Sequence, residues 1–244
     1  MNPRPHLVGL LAGLFLAGGI AFAALIITQA WTRISEAQVI DVTGAARKNV
    51  RSDLVVWRAG FSVEAESLLG AHEKLKQDQA KVEAFLRGHG VADFAVHPLQ
   101  IRELTTRGVD EDNEVVSRRI GYRLYQRIEV RSKEVEATPW LAAESTSLLE
   151  QGVALLSEGF EFIYTKAGEA KVEMMAEATK DARARAEQIA SQGSRKIKGL
   201  RSARMGVVQI NPLYSAATSW EGNNDTTALE KTITVTVTAS FSLD

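Results

Sequence analysis

An uncharged apolar run near the start of the chain, residues 7–27, sets the strongest limit on the structure of this sequence. Leu7 and Ile27 are its ends. As an α-helix the run would be about 31 Å long at about 1.5 Å per residue, which matches the ~30 Å hydrocarbon core of a bilayer. Trp31, a residue type enriched at membrane interfaces, follows it. We therefore predict a membrane anchor with its flanks over residues 1–33, followed by a folded domain.

Two other interpretations of the run remain open. Residues 21–23 read Ala-Phe-Ala, which fits the cleavage site of a secretory signal peptide, although the run stays apolar beyond it. A buried helix of a soluble domain is the other. An uncleaved anchor with so short an N-terminal flank would leave the N-terminus in the cytoplasm. The main domain would then lie on the extracytoplasmic side.

The composition excludes several classes of protein. The chain carries 29 Lys and Arg against 30 Asp and Glu, so its net charge of −1 argues against a strongly basic nucleic-acid binder. It has no Cys, which excludes disulfides, iron–sulfur clusters and thiol catalysis. Five Pro in 244 residues exclude a disordered Pro-rich protein.

The rest of the chain, residues 39–244, alternates between strand and helix patterns. The last strand, residues 231–243, alternates apolar and polar residues throughout, which is typical of an antiparallel sheet with one wet face. Strand, long helix, glycine, strand, loop and strand follow one another twice, from Asp53 and from Phe160. We predict an α+β fold with this duplicated strand–helix–strand–strand plan, in halves of about 39–135 and 136–244, whose long helices cover antiparallel sheets.

Several side chains have predicted positions within these elements. Trp57 and Trp140 are predicted to be core residues, and His72 a half-buried residue of the first long helix. A helix is predicted to begin at Thr138-Pro139, and residues 105–114 are predicted to be a loop. The second long helix has a predicted inner stripe, which consists of Val172, Met175, Thr179, Ala182, Ala186, Ile189 and Ala190.

Four strings in order resemble the SIMPL-domain family of bacterial envelope proteins. They are VIDVTG at 39–44 followed by DLVVW at 53–57, GYR at 121–123, DARARAEQIA at 181–190 followed by Gly193 and KIKG at 196–199, and the Thr-rich terminal strand. Ser52 stands where relatives usually have Pro. The resemblance covers residues 39–243.

The resemblance implies a periplasmic or membrane-anchored protein, and some relatives form ring- or channel-like homo-oligomers or are linked to oxidative stress. With the apolar run, it leads us to expect a single-pass protein of the inner membrane whose main domain is periplasmic. It implies no catalytic mechanism, so no catalytic residue is carried over to this chain.

The residues themselves show no pattern of a reaction centre. The four His have no tight metal-ligand spacing. The acidic stretch 110–114 lacks the glycine and glutamate spacing of a calcium loop and is predicted to be a solvated hairpin tip. We expect no catalytic, cofactor-binding or metal-binding residue and no cofactor.

Two features are candidate interfaces. Arg119, Arg123, Arg127 and Arg131 recur every four residues on one predicted strand and therefore on one face, together with Tyr125 and Glu129. Acidic neighbours in the sheet, a subunit contact and a polyanion are the alternatives for this row. Tyr214 and Trp220 lie in a long polar loop, residues 211–229, where exposed aromatics more often mark interfaces than cofactor pockets.

We expect a non-enzymatic, membrane-anchored envelope protein that assembles with itself. Its expected partners are the bilayer and other envelope proteins, and nucleic acid is not among them. The alternative is an adaptor, or a small-molecule binder with a pocket between the two halves. A converging polar cluster with shifted pKa values would favour the binder.

Overall fold

The computed structural model describes residues 5–35, 38–91, 93–109 and 114–244. Its elements in chain order are α1 Pro5–Ser35, β1 Val39–Arg51, β2 Leu54–Ala65, α2 Leu68–Gly88, β3 Phe94–Val96, β4 Gln100–Val109, β5 Val115–Ser132, α3 Ala137–Glu144, a 3₁₀ helix Ser145–Gln151, β6 Leu156–Ile163, α4 Ala167–Gln192, β7 Ile197–Met205, β8 Gln209–Pro212, β9 Asn223–Asn224 and β10 Glu230–Leu243.

These elements form an α+β fold, as the sequence predicted. The described residues contain four α-helices and two five-stranded sheets, and the pairings of both sheets are mainly antiparallel. The short β8–β9 pairing is parallel. Over the residues that the structure describes, no helix is both long enough and apolar enough to cross a membrane.

The chain divides into two compact units. Unit 1 comprises residues 1–46, 175–206 and 235–244, and unit 2 comprises residues 47–174 and 207–234. Strands β1 and β10 and helix α4 each begin in one unit and end in the other.

Unit 2 has its core between helix α2 and one sheet. β5 pairs with β2, β3 and β4, and β2 also pairs with β6. Trp57, Phe61 and Leu124 are buried on the sheet face that α2 covers, because residues of one strand alternate between its faces. Leu75 and Val82 of α2 pack against them. The Ser67 hydroxyl begins the helix by accepting a hydrogen bond from the Gly70 N–H at 3.1 Å.

Unit 1 contains the second half of α4 against the ends of β1 and β10. Ala182 and Ala186 of the helix pack on Ala239 and Phe241 of β10. Gly44 of β1 lies against the α4 backbone, where any Cβ would collide with the carbonyl oxygen of Ala178. Small residues on both sides therefore let helix and strand approach closely.

Two predictions about the helices are corrected. In α4 the residues Val172 and Ile189 of the predicted stripe are exposed. The buried residues before and after Ala182 recur every four positions and are mostly alanines: Ala170, Met174, Ala178, Ala186 and Ala190. The close approach selects small residues rather than the most apolar ones. In α2, His72 is exposed, since Ala71 and Leu75 define the inner face.

Two boundaries and one core residue are corrected as well. Helix α3 begins at Ala137, so Pro139 occupies its first turn, where a missing N–H costs nothing. Trp140 on this helix is 62% exposed, while Trp57 is fully buried. The predicted loop 105–114 is strand as far as Val109, and the acidic stretch from residue 110 to 113 lies outside the described residues.

Candidate functional site

The predicted arginine row lies on β5, and three of its four members share a face. Arg123, Arg127 and Arg131 alternate with the buried Leu124, Ile128 and Val130 and lie on the sheet face opposite to α2. Tyr125 and Glu129 lie on this same face, which confirms their predicted grouping.

Arg119 does not share that face. Leu104 pairs with Gly121 but Thr105 pairs with Arg119, so one extra residue of β5 forms a bulge and shifts the alternation. The Arg119 guanidinium lies 5.2 Å from the centre of the Tyr122 ring and 3.4 Å from Glu103. Both contacts are on the side of Tyr122, the side opposite to Arg123. A bulge cannot be read from spacing alone.

Each arginine of the row has a carboxylate partner. Glu64 accepts a hydrogen bond from Arg123 Nε at 2.6 Å, and Glu129 accepts one from Arg131 Nε at 2.9 Å. Arg127 Nε lies 2.8 Å from Glu158. Glutamates therefore compensate the charge of the row. Acidic neighbours in the sheet were one of the three alternatives given above for these arginines.

Glu129 is the centre of this network. Its side chain is buried and also accepts a hydrogen bond from Arg58 Nε at 2.9 Å, and Arg58 reaches on to Glu161 at 2.6 Å. Burial alone would raise the pKa of Glu129, but the hydrogen bonds from Arg58 and Arg131 hold that pKa below its usual range. The hydrogen bonds to Glu161 and Glu129 raise the pKa of Arg58. Both groups remain charged at neutral pH.

A second bulge places a carboxylate over this face. Arg58 pairs with Gly159 and Ala59 with Ser157, so Glu158 is the extra residue of β6, beside a glycine with a φ of 110°. Glu158 accepts a hydrogen bond from the Tyr125 hydroxyl. A shallow cavity of about 520 Å³ lies above Tyr125. Arg123, Tyr125 and Arg127 line this cavity, and each of them contacts a glutamate side chain.

The predicted aromatic loop presents both of its aromatic residues to solvent. Tyr214 is 94% exposed with a φ of 68°, and Trp220 is 84% exposed. Two buried amides hold the loop: Asn211 Nδ2 donates to the Ala217 carbonyl at 2.7 Å and Gln209 Nε2 donates to the Ser219 carbonyl at 2.6 Å. Part of the segment is strand, since the end of β8 overlaps its start and β9 lies within it. The loop is thus braced, and its aromatics are held in solvent.

The sequence analysis missed a buried lysine. Lys231 is 1% exposed, and its ammonium donates to the carbonyl oxygens of Phe162, at 2.7 Å, and of Asp225. Burial lowers the pKa of Lys231. Burial would raise the pKa of Asp225, but hydrogen bonds from Ala228 and Thr227 lower it. The signal was in the alternation, because Lys231 falls on the apolar side of β10.

A cluster of basic residues was missed as well. We name it the basic strand, and it consists of Arg195, Lys196, Lys198, Arg201 and Arg204. All five are exposed and lie in or just before β7. The sequence signal is the absence of any acidic residue between Glu187 and Glu221.

The remaining predicted site residues are placed as follows. Leu7, Ile27 and Trp31 lie on α1, and the side chains of Leu7 and Trp31 fall outside those described. Among the described residues, no group of three or more His, Asp or Glu side chains is arranged to hold a metal ion.

The fold and these surfaces define an α+β protein with two mainly antiparallel sheets, an N-terminal apolar helix and charge-compensated or basic surfaces. The family model of SIMPL, described as protein of unknown function (DUF541), matches residues 40–241. This chain therefore belongs to the SIMPL family. No curated protein matches it.

Proposed function

We propose that this protein is a non-enzymatic, membrane-anchored protein of the bacterial cell envelope that assembles into a closed homo-oligomer. One observation carries the proposal. It is the end of the β4–β5 hairpin, residues 105–109 and 115–119, which we name the arm.

The arm is a two-stranded ribbon. β2 pairs with β5 only as far as Tyr122, so no third strand among the described residues pairs with the five pairs from Thr105–Arg119 to Val109–Val115. A ribbon of this kind is marginally stable in water by itself, and its free edges can pair with another chain.

The arm also exposes apolar side chains. Val115 is 74% exposed and Val116 38% exposed, and Ile120 at the base is 55% exposed. A second copy of the chain that pairs with an edge of the arm would bury these side chains. Contacts of this head-to-tail kind close into rings when the rotation per subunit divides the circle, which fits the ring-like assemblies that the family resemblance implies.

The membrane part of the proposal rests on the sequence of residues 7–27. The run has no charge, and α1 continues through it from Pro5 to Ser35. Its large apolar side chains face outward, with Phe15 78% and Leu14 66% exposed. Insertion into lipid would cover them. The proposed topology is a cytoplasmic N-terminus and a periplasmic domain. An anchor also confines the subunits to two dimensions, which favours assembly.

Light scattering on the full-length protein in detergent tests the assembly. The wild type is expected to have the mass of a closed oligomer, and the V115D/V116D variant of the arm a much smaller mass. Val172 on α4 is 65% exposed, so Val172→Asp is the matched control and should assemble normally. A monomeric wild type would refute the proposal. An assembled arm variant would show that the arm is not the contact.

The anchor is tested separately. Alkaline carbonate should leave the protein in the membrane fraction, and a reporter that is active only outside the cytoplasm should be active after Asp244. A soluble product that begins near Ala24 would mean that the apolar run is a cleaved signal peptide.

The braced aromatic loop favours a second candidate function, an adaptor or a binder of small molecules in the envelope. A cavity of about 300 Å³ is lined by Tyr214, Arg47 and Asn49 among other residues. An exposed aromatic beside polar groups is a common feature of binding surfaces. Loss of a co-purified partner on Y214A/W220A, with the oligomer intact, would favour this function.

A further inference from the structure

The basic strand differs from every other cationic group described above because its charge is uncompensated. Within the described residues, none of its five cations forms an ion pair, whereas the arginine row is matched by glutamates. The nearby acidic residues of α4 are already engaged, since Asp181 pairs with Arg185 and Glu187 with Arg183. A concentrated positive field of this kind attracts an anionic partner.

Apolar side chains are interspersed with these cations. Leu200 is 53% exposed and Met205 49% exposed on β7. A groove of about 380 Å³ beside the strand is lined by Ile197, Leu200 and Phe241 together with Lys180 and Lys198. Cations beside exposed apolar surface suit an amphiphile, whose charged headgroup would meet the cations while its apolar part meets the apolar side chains.

The start of the basic strand lies near Gln38, where the chain that follows α1 enters the sheet. The Leu243 N–H donates to the Gln38 carbonyl at 3.0 Å, and Leu243 pairs with Ile197 on its other side. Gln38 and Ile197 are therefore two strand spacings apart, about 10 Å. The Asp244 N–H donates to the Lys196 carbonyl at 3.0 Å at the same end.

The chain length limits how far this end can be from a membrane. Between Ile27 and Gln38, the helical residues 28–35 span about 12 Å and the next three residues at most about 10 Å. If residues 7–27 cross the bilayer, this end of the sheet lies within about 22 Å of the hydrocarbon. Headgroups fill roughly 5–7 Å of that distance, and electrostatic attraction extends about 8 Å further at physiological salt.

We propose that the basic strand binds the headgroups of anionic phospholipids in the membrane that holds α1, and so fixes unit 1 against the membrane surface. The proposal rests on the anchor of the proposed function. Each cation at a negatively charged surface strengthens binding about fivefold, so the loss of four cations should weaken it by more than a hundredfold.

The natural absence of cysteine makes a direct test possible. A single cysteine at Ser202, on β7, carries a bimane label. The full-length protein is reconstituted into vesicles of phosphatidylcholine alone or with 30% phosphatidylglycerol, and a nitroxide on the lipid headgroup serves as a short-range quencher. We expect quenching at Ser202→Cys that needs phosphatidylglycerol and is lost in 0.5 M NaCl.

Two variants with the same loss of charge distinguish a specific site from net charge. K196Q/K198Q/R201Q/R204Q should abolish the lipid-dependent quenching at residue 202. K74Q/K76Q/K133Q/K171Q removes four exposed lysines elsewhere and should leave the quenching unchanged. Quenching that ignores lipid charge and salt, or that both variants reduce equally, would overturn the proposal.

Carbonate extraction of the same samples separates this inference from the anchor. If the protein resists extraction but shows no lipid-dependent quenching, only the basic-strand proposal fails. If the protein is extracted, the anchor fails, and flotation with vesicles then tests the strand alone. Flotation that needs phosphatidylglycerol and the four cations would support lipid binding, whereas binding of a DNA oligonucleotide without flotation would reassign the strand to nucleic acid.

Discussion

Replacement of Lys231 by methionine removes one ammonium from the interior of unit 2 while keeping most of the volume of the side chain. In the native protein that ammonium satisfies two backbone carbonyls, of Phe162 and Asp225, and lies 3.5 Å from the Asp225 carboxylate. It thereby attaches the segment before β10 to β6. The Lys231→Met variant keeps the carbonyls and loses their donor.

The size of the effect follows from these contacts. Each buried carbonyl left without a donor costs about 1–3 kcal/mol, and part of that cost is offset because the variant no longer buries a charged amine. We expect the free energy of unfolding to fall by about 3 kcal/mol. At the usual dependence on urea, the unfolding midpoint should move down by roughly 1–3 M.

Tryptophan fluorescence in urea is the assay, on the full-length protein in detergent. Trp57 is fully buried in unit 2 and stacks on Phe160 at 6.4 Å between ring centres, so its emission shifts to the red on unfolding. Lys180→Met, at an exposed lysine, is the control and should change the stability by less than about 0.5 kcal/mol. Equal midpoints for Lys231→Met and the wild type would refute the structural role of this lysine.

The remaining predictions concern the packing and the acidic network. Phe241→Ala should cost about 3–5 kcal/mol of unfolding free energy because the ring is buried. Thr236→Ala should change that free energy by no more than about 0.5 kcal/mol. Equal urea midpoints for the two variants would argue against a solvent-exposed face of β10 at Thr236. Gly44→Ala should cost about 1–3 kcal/mol or more by forcing a Cβ into the α4 backbone, and a neutral result in the same titration would exclude that close approach. Because the folded pKa of Glu129 lies below its unfolded value, its stabilisation is present above about pH 4.3 and is lost as the pH falls through the folded pKa. The midpoint of Glu129→Gln should therefore fall less between pH 5 and pH 3 than that of the wild type, and parallel curves would contradict this.

The sequence predicted those parts of the fold that depend only on the alternation of apolar and polar residues along a strand. β10 follows the alternation of its residues, with Val237 and Phe241 buried, and Trp57 is buried as its strand pattern required. Residues selected by packing were less predictable. The inner face of α4 is formed mostly by alanines, because a strand with Gly44 approaches the helix, and no measure of hydrophobicity favours them over Val172 or Ile189.

The charged surfaces show the same limit. Spacing placed four arginines on one face, but a bulge at Ile120 turned Arg119 to the other, and spacing could not reveal the glutamates that neutralise the remaining three. The partner of a charge is a property of the folded sheet. The same holds for the basic strand, since its segment lacks acidic residues in the sequence, but only the fold shows that the nearby Asp181 and Glu187 pair with arginines of α4 instead.

Both compact units are assembled from separated pieces of the chain. The boundaries fall after residues 46, 174, 206 and 234, inside or beside β1, α4, β7 and β10. Neither unit is a contiguous stretch that could be excised or inserted as one fragment. A cut at any of these points divides unit 1, and a cut after residue 174 or 206 divides unit 2 as well. Truncation is therefore the wrong tool for separating their roles, and point substitutions confined to one unit are the right one.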